Sequence, residues 1–488
     1  MTNRAASNGS VICRCRSCVI QCLSESEHFD YLYDCHTRRG VVMNKKYDVI
    51  VAGGGTAGVA AAVAAARGGA KTLVIERFGH LGGIASYGIP FLGIISANGE
   101  VVNHGIMSEI IERLKEEGAC FGYATGAYWN TPETPNEYGF SLTPYDPEYY
   151  KYVAQEMILE AGADILFYSY ITDVSKENNQ IKAVQVANKS GLQTYEADVF
   201  IDCTGDADLA YLAGGEFIEN ELKQNCSILF RIGGVDLEQL LRDLKEGKTV
   251  KGWGNWHTRI IKEAKTEGSE PSLVHLAGHL VPVEGEPEIT FTAVSLRDGE
   301  ISLNATRSVG YSGVDAEEVT QAEISERRNV MRVFKSIKQN IPAFRNAAII
   351  STAPVGFRET RNIIGDYIMT REDVLGGKDF DDGVARGAYP IDIHDPKGGR
   401  TSFQFIKDGG SYSIPYRCFL PKGIEGLLVV GKNISATHEA NGTTRIMGCV
   451  VSQGEAAGTA AALAIKNKVT PRQVDVDILR SKLPLYEE

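Results

Sequence analysis

Gly53, Gly55 and Gly58 stand between two apolar runs, 49–52 and 72–75, and the second run ends on Glu76. Glycines at this spacing have separate tasks. Gly53 permits a tight turn out of a strand, Gly55 lets a pyrophosphate approach the backbone, and Gly58 lets the following helix pack closely on the sheet. At the helix start, with Thr56 and Ala57 among the binding positions, open N–H groups and the positive end of the helix dipole face the phosphates. Glu76 lies where a carboxylate accepts hydrogen bonds from ribose hydroxyls. The order strand, glycine turn, helix, strand, acid predicts a bound adenine dinucleotide. It leaves open which one and what is done with it.

A second group of reactive side chains falls in the last third. Residues 354–367 put Arg358, Glu359 and Arg361 close together, residues 385–397 supply Arg386, Asp392 and His394, and a polar run leads from His438 to Arg445. An imidazole titrates near neutrality and suits acid–base work. Guanidinium groups hold a carboxylate or oxyanion through paired donors. Each of these residues has an equally ordinary role in a structural ion pair.

The elements that must position these groups are legible from periodicity and turn residues. Residues 103–118 have apolar residues at helical spacing, with Asn103 to cap the start and Gly118 to end it. Residues 119–146 read as a long loop, on the surface or over a substrate. Residues 147–162 form a helix with Pro147 in the first turn. A buried strand at 165–167 precedes a three-stranded meander through 170–176, 180–189 and 192–197, turning at Asn178-Asn179 and Ser190-Gly191. Residues 197–202 return to the main sheet and run into Cys203-Thr204-Gly205-Asp206, where Asp206 can cap a helix. Residues 215–345 alternate strand-like stretches (226–232, 287–296) with helical ones (236–245, 315–338). Trp253, Trp256, His257, His275 and His279 lie there and receive no role. A strand is expected over 412–420, a buried strand over 426–430, and a small-residue helix over 448–466.

With 488 residues the chain is long enough for two or three domains. The net charge of -12 argues against a nucleic-acid partner and gives no reason to expect an anionic membrane surface. No apolar run reaches transmembrane length, and 11–23 lacks a continuous hydrophobic stretch for secretion, so a cytoplasmic location is expected. Of ten cysteines, five crowd into the first 35 residues. Residues 1–42 read as a disordered leader. A metal or [4Fe-4S] site at Cys13, Cys15, Cys18 and Cys22 is the competing reading, although their spacing fits no standard template.

The acid-Arg pair Glu76-Arg77, followed by Leu81-Gly82-Gly83, and the later Cys203-Thr204-Gly205-Asp206, resemble the FAD-dependent oxidoreductases of the glutathione-reductase type. More narrowly they resemble the bacterial family related to the flavin subunit of heterodisulfide reductase. The resemblance covers about residues 45–466. It implies an α/β fold: a Rossmann-like FAD-binding domain (43–214 and 346–470) with a three-stranded β-meander and an inserted α+β substrate domain (215–345), then a tail (471–488). It implies FAD bound by Gly53, Gly55, Thr56, Ala57, Gly58, Glu76, Arg77, Gly82, Gly83, Gly205, Asp206, Gly431, Asn433 and Gly448. The last helix would aim its N-terminus at the flavin, with His438, Arg445, Arg358 and Arg361 as catalytic candidates beside it. A flavin-dependent oxidoreductase acting on a small molecule is the expected function, with a redox partner or a homo-oligomer as further associations. An electron-transfer flavoprotein with a [4Fe-4S] cluster and a non-catalytic FAD-binding protein are the alternatives.

Overall fold

The computed structural model describes residues 46–120, 122–123, 142–220, 223–245, 257–263, 274–280, 291–297, 299–397 and 401–485, with two short strands at Cys13–Cys15 and Cys18–Ile20. The chain divides into two units, Met1–Asn44 and Lys45–Glu488. In the first, the two strands pair antiparallel with Cys15 opposite Cys18, although the sequence of this leader carries no strand periodicity. The metal-site expectation for Cys13, Cys15, Cys18 and Cys22 rests on side chains outside the described residues. So does most of the expected loop 119–146.

The second unit opens with β1 (Val49–Ala52), α1 (Thr56–Arg67) and β2 (Thr72–Ile75). Next come α2 (Ile106–Glu116), α3 (Pro147–Glu160) and β3 (Asp164–Leu166). The meander follows as β4 (Tyr170–Glu177), β5 (Gln180–Asn188) and β6 (Gly191–Glu196), and then β7 (Val199–Asp202). Asn178 and Asn179 take φ of 50° and 65°, the left-handed pair that a two-residue hairpin turn needs. Much later come β14 (Leu427–Val429), α5 (His438–Thr444) and α6 (Met447–Asn467), after the intervening strands described below. Strands β14, β7, β1, β2 and β3 form one parallel sheet in that order. Its strands β1, β2, β7 and β14 are buried throughout, as a sheet covered on both faces requires.

Helices α1 and α6 cross on this sheet almost backbone to backbone. A Cβ on Gly454 would lie 2.2 Å from the Ala57 carbonyl oxygen, and one on Gly458 would lie 2.2 Å from that of Ala61. The repeat of one turn, Gly454 to Gly458 against Ala57 to Ala61, is what allows the approach. The two ends of the second unit are joined in this way.

Between β7 and β14 lies an antiparallel sheet made of β8 (Leu229–Gly233), β9 (His257–Glu263), β10 (Val274–Leu280), β11 (Phe291–Arg297), β12 (Glu300–Asn304) and β13 (Ala348–Thr352). Their order is β9-β10-β11-β12-β8-β13. The long helix α4 (Ala316–Asn340) puts Val330, Val333 and Ile337 into a core with Phe230, Ile232, Ile301 and Leu303. Strand β13 pairs with β8, so this sheet runs past residue 345, where the insertion was expected to end.

Three local expectations need correction. Asn103 does not cap α2, whose N-cap is Gly105 at φ 63°. Its amide instead donates to Arg386 O and Ser452 Oγ, both at 2.9 Å. The strand expected over 412–420 stops at Pro415, and Tyr416–Phe419 form a short 3-10 turn. Asp206 caps no helix: Ala207 is the N-cap, at φ 53°, without a side-chain cap. Within the expected tail, Pro471 O accepts from Tyr416 Oη at 2.8 Å and Leu479 is fully buried. Among the described residues no helix is long and apolar enough to cross a membrane.

Two consequences are measurable. Gly458→Ala should cost at least about 1–3 kcal/mol in urea unfolding, because its methyl group meets the fixed Ala61 carbonyl. A change within about 0.5 kcal/mol would contradict this packing. The second concerns Glu455 on α6, whose Oε2 accepts the Ile106 N–H at 3.1 Å at the start of α2. Burial raises its pKa from 4.5 to about 7. The stability from the protonated form is complete below pH 4.5 and lost as pH rises through about 7. Glu455→Gln keeps the acceptor without the charge. It should match the parent at low pH and exceed it by on the order of 2–3 kcal/mol at pH 8.5. Equal unfolding midpoints at both ends of that range would exclude a costly buried carboxylate.

Candidate active site

The glycine turn separates packing from binding. Gly53 takes φ 91°, and a Cβ there would lie 2.6 Å from Cys203 O. A Cβ on Gly58 would lie 1.9 Å from Gly53 O. Gly55 differs: the nearest atom to its Cβ position is Cys203 O at 3.9 Å. Nothing in the protein demands a glycine there, and the space beside it is open at the C-terminal edge of the sheet, where such folds bind ligands. Helix α1 begins with no side-chain cap, so its first N–H groups remain available to an anion.

Glu76 is buried and braces this turn. Its Oε2 accepts the Gly54 N–H at 2.7 Å and its Oε1 the Phe78 N–H at 2.8 Å. Each carboxylate oxygen keeps a lone pair that a ribose hydroxyl can use. Gly82 and Gly83 take φ of 102° and 53°. The Gly82 N–H donates to Gly54 O at 2.8 Å, and a Cβ on Gly83 would sit 3.1 Å from Gly55 Cα, so this loop lies along the glycine turn. Thr56 Oγ1 donates to Gly82 O at 3.4 Å. The Ala57 carbonyl meets α6 at Gly454, and its methyl group lies 3.7 Å from a Cβ position on Gly431. Arg77 is exposed, its guanidinium 5.2 Å from the Phe78 ring centre.

The return segments meet the same sheet edge. Asp202 is fully buried at the end of β7 and accepts from Thr204 N (3.0 Å), Thr204 Oγ1 (2.7 Å) and Ala210 N (2.9 Å). Burial raises its pKa to about 6, against the pull of these donors. Gly205 follows at φ 80°. Lys432 Nζ donates to Asp206 Oδ1 at 3.0 Å and to Thr360 Oγ1 at 2.7 Å. Burial works to raise the Asp206 pKa, but Lys432 and Arg77 outweigh it and the net shift is downward. Arg361 donates to Asp206 O and Asp208 Oδ1, both at 3.0 Å, with its guanidinium 4.1 Å from the Tyr211 ring centre. Its charge is engaged in holding the Gly205–Asp208 loop.

Gly431 takes φ 103°, and its N–H donates to Gln453 Oε1 at 2.9 Å, while Gln453 Nε2 donates to Thr444 O at 2.7 Å. One buried side chain on α6 thus fixes both the end of β14 and the end of α5. Asn433, with its amide turned to satisfy both ends, donates to Val430 O at 3.0 Å and accepts from Ala207 N at 3.2 Å. Helix α6 starts at Met447 without a side-chain cap, like α1. A Cβ on Gly448 would lie 2.7 Å from Asn103 Oδ1 and 2.9 Å from Leu92 O, so this glycine lets the helix start seat against the body.

His438 and Arg445 open and close α5. His438 Nδ1 lies 2.8 Å from Glu359 Oε2. Glu359 is buried and also accepts from Asn220 Nδ2 (2.7 Å) and the Gln224 N–H (3.3 Å). The bond to Glu359 raises the His438 pKa, although burial opposes it. Arg358, next in chain to Glu359, donates to Asn225 O (2.9 Å) and Oδ1 (2.7 Å). Burial lowers its pKa to about 9, helped by Arg445 and Arg307. Arg445 donates to Asp392 O at 3.2 Å and reaches Gln224 Oε1 at 3.5 Å. Burial works against charge on Asp392, yet the facing His394, Arg445 and Arg358 hold it below the usual carboxylate range. Burial, with Arg358 beside it, keeps His394 neutral. Arg386 lies apart, donating to Ser411 Oγ at 2.7 Å and facing Asp379.

The expected residues therefore fall into two groups at one sheet edge: the glycine turn with Glu76 and the loops beside it, and a His–Glu pair beside two arginines. Sequence reading missed Glu359 as the partner of His438, and also Gln453, Gln224 and Asn225. Glu359 alone had a signal, its place between Arg358 and Arg361. Among the described residues no group of His, Cys, Asp or Glu is arranged to hold a metal ion. Cys203, Cys226, Cys418 and Cys449 are free thiols and buried, and Cys120 is also buried.

Comparison with known structures gives broad, low-identity likeness. A geranylgeranyl bacteriochlorophyll reductase-like protein of Thermoplasma acidophilum is 16% identical, over 86% of this chain and 78% of that one, at a TM-score of 0.42. An aromatic hydroxylase from angucycline biosynthesis is 12% identical, over 90% and 68%, at 0.46. A flavin-dependent brominase is 12% identical, over 90% and 82%, at 0.43. No curated protein matches. The family model described as FAD dependent oxidoreductase matches residues 48–483, nearly the whole second unit. With that match laid over the glycine turn, the buried Glu76 and the returning α6, the chain belongs to the FAD-dependent oxidoreductase family.

Proposed function

We propose that this flavin-dependent oxidoreductase acts on a small molecule held against the His438–Glu359 pair, with FAD spanning both ends of the second unit. The observation that carries the reading is the convergence of two uncapped helix N-termini, those of α1 and α6, with the open space at Gly55. These features fit FAD. Gly53–Gly58 and the start of α1 would hold its pyrophosphate, and Glu76 its adenosine ribose. The Gly205–Asp206 and Gly431–Asn433 loops would line its middle, and the start of α6 would face negative charge. Bound FAD supplies hydride or electron transfer at its isoalloxazine ring.

The chain itself must move a proton and hold the substrate. His438 is suited to the first task. Its Nδ1 is fixed by Glu359, which orients the ring and leaves Nε2 for a substrate proton. Arg445 and Arg358 are suited to the second, as cations beside the pair. Arg361, already paired with Asp208, acts by positioning the Gly205–Asp208 loop. Relation to the flavin component of heterodisulfide reductase would add electron transfer to an iron–sulfur cluster, whose ligands would have to come from outside the described residues.

Two experiments test the reading. The purified protein should carry FAD, with flavin absorbance that bleaches anaerobically with substrate. Gly55→Ala should fold normally yet lose FAD affinity at least tenfold (about 1.4 kcal/mol), whereas Gly58→Ala should damage the fold itself. Equal FAD affinity in Gly55→Ala would remove the phosphate assignment. The second is a pH test. Because the Glu359 bond raises the His438 pKa above 6.5, the pair stabilises the fold fully below pH 6.5 and loses that contribution as pH rises through the folded value. Glu359→Gln should move the His438 titration, read by NMR, to lower pH and shift the pH–rate profile with it. His438→Ala should cut turnover by about 10²–10⁴ while FAD stays bound. Unchanged turnover would sink the acid–base assignment.

A further inference from the structure

Gln224 and Asn225 are almost wholly buried, at 3% and 1% exposure. Their amide oxygens are already taken. Gln224 Oε1 accepts the His394 N–H at 3.1 Å and faces Arg445 Nη2 at 3.5 Å. Asn225 Oδ1 accepts from Arg358 Nη1 at 2.7 Å. These bonds fix both amides, so turning either over would set a nitrogen against a cation. As a result Gln224 Nε2 and Asn225 Nδ2 are buried donors with no acceptor among the described residues, and Arg445 Nε is a third. A buried donor left without a partner costs about 1–3 kcal/mol, and three in one network ask for a common explanation. The network carries the guanidinium groups of Arg358 and Arg445, with Arg307 acting on Arg358, against the carboxylate of Asp392, whose Oδ1 is itself a buried acceptor without a hydrogen-bond partner among the described residues. It is joined to the His438–Glu359 pair through the Gln224 N–H, which donates to Glu359 Oε2.

We infer that this donor-rich network binds a carboxylate group of the substrate, so that the enzyme acts on a carboxylic acid whose reacting carbon is presented to His438. The inference rests on reading His438 and Arg445 as the substrate side of the flavin site. A carboxylate answers the charge and the donors of the network. Its negative charge offsets part of the excess of cation over Asp392. Its two oxygens offer enough lone pairs for the Gln224, Asn225 and Arg445 donors. The adjacent imidazole then stands next to the carbon framework that the carboxylate anchors. A neutral alcohol of the same size would leave the charge unoffset and, with one oxygen, would pair at most two of the three donors, which is the condition that produces strong discrimination between ligands.

The test is calorimetric titration of the purified holoprotein with acetate, malonate, succinate and benzoate, each against its neutral amide. At least one carboxylate should bind at least tenfold more tightly than its amide. Asn225→Ala and Gln224→Glu should each weaken it at least tenfold while retaining FAD, the second variant keeping the side-chain size should the first fold poorly. Carboxylates that bind no better than amides, or bind equally to both variants, would overturn the inference. So would loss of FAD from the variants, since the network would then serve the cofactor. A protein that binds carboxylates yet takes up no FAD would instead overturn the proposed function and leave this inference standing. FAD bound without any carboxylate preference does the reverse.

Discussion

The close crossing of α1 and α6 is the contact on which everything else in the second unit depends. Ala57 and Ala61 present carbonyl oxygens where Gly454 and Gly458 have no side chain, and no larger residue fits at either glycine. That contact sets β1 and β14 into one sheet with β7 between them and brings both helix N-termini to the same edge. The cost of such an approach is two helices of low intrinsic side-chain payload, rich in alanine and glycine. Their stability must come from burial on the sheet rather than from large apolar groups. Gln453, next in chain before Gly454, uses the arrangement to fix Gly431 and Thr444 at once.

A discontinuous site follows. In the proposed reading residues 53–83 would hold the phosphates and ribose, 202–208 and 431–433 the middle of the cofactor, and 358–359, 392–394 and 438–445 would supply the reactive side chains. Lys432 and Thr360 tie the second set to the third through Asp206 and Gly205. The cleft edge therefore runs from the Asp206–Lys432–Thr360 contacts to the His438–Glu359 pair, with Gln224 continuing it to Arg445 and its neighbour Asn225 holding Arg358.

Much of this was legible in advance, for physical reasons. The opening βαβ unit, the meander and α6 are local patterns in which strand period, helix period and turn residues agree, and all three stand where periodicity put them. The glycine turn was readable because backbone geometry, not side-chain chemistry, demands it. Less was readable where a residue's role is set by distant neighbours. Asp206 looks like a helix cap and instead pairs with Lys432. Asn103 looks like a cap and instead bridges to Arg386 and Ser452. Arg361 reads equally as an oxyanion holder or an ion-pair residue, and it is paired with Asp208 and packed on Tyr211. Gln224 and Asn225 carry no local signal at all, since their meaning lies in what their oxygens already accept.

The central claim is that one cofactor engages both ends of the second unit. Amide hydrogen exchange, followed by mass spectrometry on the FAD-free protein before and after FAD is added, tests it most directly. The account predicts protection at Gly53–Gly58, at Gly431–Asn433 and at Met447–Gly448 together, at the same FAD concentration. Protection confined to the N-terminal turn, with the segments 431–433 and 447–448 exchanging as before, would contradict it.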